Sequence, residues 1–241
     1  MPEVLVGERA KGTTGKVMVV RGFGTVWRAG GEDIEAAARA LAAASVDEAV
    51  AAWITPDEET RARRGAEAGQ DIAAWLDTTR RSAEVLLVSG DDGVAGLAMW
   101  HFVPGGDEHA DGPDDGGADE AGTDALIRVY GTDGLTRMAQ VREAVGRRHP
   151  SGVPHWHLSQ TVIVPELRGR GLGGALLRHH LDRVDEERAA AYLEASTPRS
   201  QALYERYGFL ALGAPVELPD GGPRLQPMWR EGRSGLRPPG A

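Results

Sequence analysis

The sequence predicts a mixed α/β fold, one central sheet flanked by helices, on three observations. Apolar patterns along the chain run strand, helices, hairpin, helix, strand, helix, strand, helix, hairpin. That order does not suit an all-parallel doubly wound sheet. The stretch from Val162 to Leu177 reads as a buried strand passing through a glycine-rich turn into an amphipathic helix. The 241 residues, 41% apolar, suffice for one domain of generous size.

Residues 1–16 mix Gly, Thr and charge without period and are expected to form a flexible extension ahead of a single domain spanning 17–230. Val17 to Trp27 is β-rich and supplies a first strand, with Gly22 and Gly24 marking a bend. Ile34, Ala37, Ala38, Leu41 and Ala44 recur at helical spacing and make a small-residue stripe suited to close packing on a sheet. Thr55-Pro-Asp-Glu58 has a capping-box pattern that starts a second helix. A third carries Ile72, Trp75, Leu76 and Thr79 on one face. Glu84–Ser89 and Val94–Phe102, joined by Gly90-Asp-Asp-Gly93, read as a hairpin. Leu135, Met138, Val141 and Val145 mark a helix ending near Arg147-Arg-His-Pro150, with cations suited to a helix C-terminus. The strand Trp156–Val164 leads through the glycine turn to a helix bearing Leu176, Leu177, Leu181 and Val184. Ala190–Ala195 is a short strand, and Arg199–Tyr207 a short helix closed by Gly208. Phe209–Leu218 and Leu225–Trp229 form a last hairpin around Asp220-Gly221-Gly222, and 231–241, with Pro238-Pro239, reads as a flexible tail.

The net charge of -9 is concentrated in one place. Asp107, Glu108, Asp111, Asp114, Asp115, Asp119, Glu120 and Asp124 occur without a Lys or Arg among them, so the rest of the chain is nearly neutral. Residues 104–124 therefore read as a disordered acidic insertion, and nothing argues for a nucleic-acid partner. The carboxylate spacing fits no calcium loop, and no metal site is expected. With no cysteine, disulfides, thiolate metal sites and a cysteine nucleophile are excluded. No apolar run approaches the ~20 residues that span a bilayer, and no signal-peptide core is present, so the expected setting is cytoplasmic with no membrane partner.

The turn after the strand is suited to a pyrophosphate. Gly169, Gly171, Gly173 and Gly174 let the backbone approach an anion, and the free N–H groups opening the next helix point at it; Arg168 and Arg170 add mobile charge. Gly169-x-Gly171-x-x-Gly174 also fits a dinucleotide fingerprint, with Glu194 as its ribose acid. That reading needs further βα units, roughly 100 residues, and only Ala175–Ala241 remains. The P-loop Gly-Lys-Ser/Thr is absent.

Arg168-x-x-Gly171-x-Gly173 resembles the acyl-CoA signature of the GNAT acetyltransferase superfamily. Tyr204-Glu-Arg-x-Gly-Phe209 resembles its C-terminal motif. His155-Trp-His-Leu, Leu193-Glu-Ala-Ser-x-Pro-Arg199, Gly-Pro-Arg224 and Met228-x-Arg230 resemble the puromycin N-acetyltransferase branch. The likeness runs from about His155 to Arg230, with a looser match over Glu84–Phe102. It implies the GNAT acyl-CoA acyltransferase fold, in which two central parallel strands splay to admit the pantetheine arm. It further implies acetyl-CoA as co-substrate, held by Val162, Ile163, Val164 and the turn from Arg168 through Leu172 to Gly174. Tyr204 becomes the acid toward the CoA sulfur and Glu194 the base. Ser200 stands where many relatives have an asparagine on the pantetheine arm.

The chemistry needs a proton acceptor, an oxyanion donor and an acid. The strand backbone near Ile163 and Val164 offers the donor. Tyr204, with an ordinary pKa of ~10, stays protonated at neutral pH. Burial would raise the Glu194 pKa toward a useful range, while His157 and His155 are alternative bases. Trp156, beside both histidines, is a substrate-pocket candidate; Trp53, Trp75 and Trp100 read as core. The implied function is direct transfer of acetyl to a primary amine of a small molecule, an antibiotic or a metabolite, by a monomer or homodimer. The alternatives are a protein or peptide amine acceptor, or a non-catalytic acyl-CoA-binding module.

Overall fold

The computed structural model describes residues 4–7, 17–20, 24–105 and 120–232. Strands β1 (Val4–Gly7), β2 (Val17–Val20) and β3 (Gly24–Arg28) form an antiparallel meander. Helices α1 (Ile34–Ser45), α2 (Ala49–Ile54), α3 (Glu58–Glu67) and α4 (Gly69–Ser82) follow, then the hairpin β4 (Glu84–Gly90) and β5 (Gly93–Val103). Helix α5 (Glu120–Gly146) precedes β6 (His155–Ile163), α6 (Leu172–Glu186), β7 (Ala190–Ala195) and α7 (Pro198–Glu205). Short strands β8 (Leu210–Ala211) and β9 (Val216–Glu217) and the longer β10 (Arg224–Arg230) close the described chain. The sheet order is β1-β2-β3-β4-β5-β6-β7-β10-β8, with β9 on β10. Among the described residues β6 and β7 are the parallel neighbours and the other pairs are antiparallel. No described helix is long and apolar enough to cross a membrane.

Alternation along β4 divides its side chains between two cores. Leu86 and Val88 join Trp100, Leu158 and Leu193 beneath Leu172, Leu176, Leu177, Leu181 and Val184 of α6. Val85 and Leu87 join Leu97, Met99 and Val162 beneath Ala37, Ala38, Leu41 and Ala44 of α1 and Leu76 of α4. The alanine stripe brings α1 close to the sheet, and its last buried residue, Ala44, lies in the same cluster as Val162 near the end of β6. A smaller cluster of Val216, Leu218 and Leu225 packs with Val50, Trp53, Val141 and Val145, joining α2 and α5 to the β9–β10 hairpin.

Several expectations shift. Val4–Gly7, placed in a flexible extension, is a strand paired with β2, consistent with its Val-Leu-Val run; residues 8–16 lie outside the described residues. The first β segment is a hairpin rather than one strand. Gly24 adopts φ +83°, and a Cβ there would sit 2.3 Å from the Ser89 carbonyl oxygen, so the strand β3 can approach β4 only with glycine. The cap of α3 is Asp57, whose carboxylate accepts from Thr60 N at 2.8 Å, not Thr55. Trp75 is 40% exposed although Leu76 is fully buried. Helix α5 begins at Glu120, inside the segment expected to be disordered, and is broken at Gly131 (φ 74°, ψ 169°). The core of the acidic insertion, 106–119, and the tail from 233 lie outside the described residues. The last hairpin is divided because β8 and β9 pair different parts of β10.

Candidate active site

Parallel pairing between β6 and β7 runs from His155↔Ala190 to Leu158↔Leu193 and stops there, although β6 continues to Ile163 and β7 to Ala195. The register of β6 on β5 slips at Met99/Trp100, where Ser159 is the extra residue of a bulge. A gap therefore opens between the two central strands beyond Leu158 and Leu193, as the family resemblance implied.

Val164 donates its N–H to Ala95 O at 2.9 Å. By the alternation of an antiparallel ladder, the Ile163 amide turns to the other edge, toward the gap. Of the two amides, Ile163 N–H is thus the one that faces the gap, and Val164 N–H is not. Past the strand, a 3-10 turn (Pro165–Leu167) leads to Gly171, the N-cap of α6, in the left-handed region at φ 82°. The first backbone bond into α6 is Ala175 N to Gly171 O, which leaves the amides ahead of it without a helical carbonyl. Free N–H groups at a helix start, with the helix dipole behind them, are what an anion such as a pyrophosphate needs. The glycines have separate duties: Gly174 faces Tyr207, whose hydroxyl would lie 2.5 Å from a Cβ, so its small size serves packing. Arg170 is exposed and 3.7 Å from Asp91. Arg168, expected to be mobile, is pinned: Nε donates to Ile163 O at 2.9 Å, and the terminal nitrogens bond both oxygens of Asp47 and Ala44 O.

Tyr204 is the buried residue of α7 and packs edge-on against Phe209. It shares a cluster with the α6 face of the sheet, the side of Leu158 and Ala195. Burial pushes its pKa up to about 12; the Thr161 hydroxyl opposes this, while the charges of Glu48 and Glu194 add to it. The phenol therefore keeps its proton at neutral pH.

Glu194 points to the opposite face. Its Oε2 lies 3.1 Å from His157 Nε2, with the histidine buried and the carboxylate only slightly exposed. A carboxylate only accepts, so His157 Nε2 carries the hydrogen. Burial alone would raise the Glu194 pKa, but His157, the Tyr192 hydroxyl beside it and His149 outweigh burial and hold it below the ordinary value. The expected elevation is thus reversed by partners that the sequence does not place together.

These residues belong to a larger buried cluster. The ring of His149, from the loop after α5, lies 5.0 Å from His157, 5.1 Å from His155 and 4.9 Å from Tyr192, centroid to centroid. His155 Nδ1 donates to Val153 O at 2.7 Å and its ring meets Trp229. Burial depresses His149 to about 3, helped by His157 and His155, and His155 to about 4. Burial and Glu194 drive the Tyr192 hydroxyl far upward. Among the described residues no His, Asp and Glu grouping could hold a metal ion.

Alternation removes Trp156 from this site. Trp156 is on the α6 face, away from His155 and His157, with Nε1 donating to Glu187 at 3.0 Å and Arg183 over its ring; it is core, not pocket. Ser200 is engaged in the capping box of α7, its hydroxyl donating to Thr197 O at 2.9 Å and its N–H donating to Thr197 Oγ1. Sequence reading missed His149, Thr161, Asp47 and Glu48. For His149 the sequence holds no signal beyond a helix-terminal Arg-Arg-His, which turns one side chain inward.

Comparison with known proteins agrees with this fold. Among solved structures, a protein described as histone acetyltransferase HPA2 and related acetyltransferase, from Corynebacterium glutamicum, is similar with a TM-score of 0.60 at 22% identity, covering 89% of this chain and 97% of that one. An arylalkylamine N-acetyltransferase 2 from Aedes aegypti is similar at TM-score 0.54 and 12% identity, covering 86% and 97%. These likenesses concern the fold. The sequence profile of the acetyltransferase (GNAT) family matches residues 48–209, which spans the bulged strand, the glycine turn, Glu194 and Tyr204. With two thirds of its length inside that profile and a splayed β6–β7 pair at its centre, the chain belongs to the GNAT family of acetyl-CoA-dependent acetyltransferases.

Proposed function

We propose that this enzyme moves acetyl from acetyl-CoA directly onto a primary amine of a small molecule, an antibiotic or a metabolite. The observation that carries the reading is the gap between β6 and β7, with Tyr204 on one face and the Glu194–His157 pair on the other. The resemblance of His155-Trp-His-Leu and Leu193 to Arg199 to the puromycin N-acetyltransferase branch supports a small-molecule acceptor.

Acetyl-CoA supplies the acetyl group as a thioester. The amides from Gly169 to Gly174 hold its pyrophosphate, and Ile163 N–H donates to the carbonyl oxygen as negative charge gathers there. Glu194 Oε1 accepts the proton that the amine gives up as its nitrogen bonds the acyl carbon. His157 Nε2–H keeps the carboxylate aimed. Tyr204 delivers its hydroxyl proton to the sulfur as the carbon–sulfur bond breaks. With no cysteine in the chain, direct attack needs no acyl carrier on the protein.

A panel of primary amines tests the reading by acetyl-CoA-dependent thiol release. It should include puromycin, aminoglycosides, arylalkylamines and N-terminal peptides. Turnover with a small amine and none with peptides is expected. Turnover confined to peptides would reassign the acceptor class, and acetyl-CoA binding without thiol release for any amine would oppose the acid and base assignments.

A further inference from the structure

Arg168 stands at the motif position from which a charge toward pyrophosphate is expected, yet the guanidinium is spent elsewhere. It joins three parts of the site. Nε holds the Ile163 carbonyl at the lip of the gap, the terminal nitrogens take both Asp47 oxygens at 2.5 and 2.8 Å, and one also reaches the Ala44 carbonyl at 3.2 Å. Planar bidentate pairing of this kind fixes orientation as well as distance. Arg168 holds Asp47 below its ordinary carboxylate range, so the pair stays charged at neutral pH.

What the clamp holds on its far side is the end of α1 and the start of α2. Ala44 shares its apolar cluster with Val162, so this junction covers the end of β6 on the face where Glu194 lies. Glu48, next to Asp47, turns its carboxylate onto Val50 N and Ala51 N at 2.8 and 2.9 Å and so caps α2. Its charge is felt at the Tyr204 hydroxyl across the gap. With Glu194 read as the base, this junction is the neighbouring element on the face from which an amine would come. The Asp47 carboxylate is half-exposed, and an ion pair so open to water adds little to folding. Position is the better account of four bonds on one side chain.

We propose that Arg168 is a positioning residue that couples the acetyl-CoA turn to the α1–α2 junction, so that filling the turn orders the wall of the acceptor site. The inference rests on the reading of the turn as the CoA site. Linkage then makes the effect reciprocal: a bound acceptor tightens CoA by the same factor.

Hydrogen exchange on the full chain, with coenzyme A as the probe, tests it. In the native protein, saturating coenzyme A should slow exchange at least tenfold both at 169–175 and at 44–54. Asp47→Asn should bind coenzyme A within about threefold of native, keep protection at 169–175 and lose it at 44–54. Arg168→Lys, which keeps the charge but cannot span both Asp47 oxygens, should behave like Asp47→Asn. Asp57→Ala removes the cap that Thr60 N donates to on the neighbouring α3, without touching Arg168, and should leave the coupled protection intact. Equal protection of 44–54 in native and Asp47→Asn would overturn the clamp. So would coenzyme A affinity that drops tenfold in Arg168→Gln and is kept in Arg168→Lys, which would make Arg168 a pyrophosphate ligand. Failure of coenzyme A to bind the native protein at all, read by calorimetry, would instead remove the turn assignment on which the clamp depends.

Discussion

At Tyr204, burial and two carboxylates keep a proton on a hydroxyl that faces a strand gap. Tyr204→Phe preserves the ring against Phe209 and removes that proton. General acid catalysis contributes typically 10²–10⁴-fold, so kcat should fall by about that factor while acetyl-CoA affinity changes little. Full kcat in Tyr204→Phe, with a loss in Tyr207→Phe or Tyr192→Phe, would move the role to another tyrosine. The histidines make a separate prediction. An unfolded chain titrates His149 and His155 near 6.5, whereas the folded protein refuses their protons until about 3 and about 4. As pH falls below 6.5 the unfolded state therefore binds protons that the native state does not. Stability is lost across that window by up to about 1.4 kcal/mol per pH unit for each histidine, and is fully present above it. The melting temperature should drop steeply from pH 6.5 to 4, and His149→Phe should flatten the slope. A flat profile in the native protein would show the cluster to be solvated. Glu194, held below its ordinary value, adds its own loss only at lower pH.

The strand–turn–helix element from β6 through α6 carries most of what the sequence disclosed. Gly171 caps α6 at φ 82°, so a residue with a side chain strains the turn that the proposed function gives to the CoA pyrophosphate. Gly171→Leu should raise the acetyl-CoA dissociation constant at least tenfold, about 1.4 kcal/mol, by calorimetry; unchanged affinity in a folded variant would place the pyrophosphate elsewhere. This element was legible because its signals are local: an apolar strand, glycines at fixed offsets, and a 3.6-residue stripe of Leu176, Leu177, Leu181 and Val184. Strands β4, β5 and β7 were legible for the same reason. The element α2 was not, since six residues held by a Glu48 cap offer too little periodicity. Nor were the partners of Arg168, Glu194 and Trp156. Asp47 lies 121 positions from Arg168 and His157 lies 37 from Glu194. Which face a β6 side chain takes depends on a register that a bulge shifts. Tyr204 was singled out through its motif, whereas His149 needed the fold.

Over the whole molecule, the -9 charge opposes an anionic co-substrate unless distance and salt remove the repulsion. The acidic insertion leaves the sheet at Gly105, beside Gly152 and Pro154, at the entry end of β6. The glycine turn is at the exit end, and a nine-residue strand separates the two by about 30 Å. At physiological ionic strength the Debye length is about 8 Å, so charge that stays at the entry end is almost fully screened at the turn; at 0.01 M it is about 30 Å and the repulsion returns. Replacing Asp107, Glu108, Asp111, Asp114, Asp115 and Asp119 by Asn or Gln should therefore leave the acetyl-CoA dissociation constant within about twofold at 0.15 M salt. At 0.01 M salt the same variant should bind acetyl-CoA severalfold faster than the native chain, by stopped-flow. The two salt conditions separate long-range repulsion from contact. A tenfold tightening that persists at 0.15 M would mean that the insertion reaches the CoA turn, and a rise in amine KM without any change in acetyl-CoA binding would instead give its charge a role in attracting a cationic acceptor.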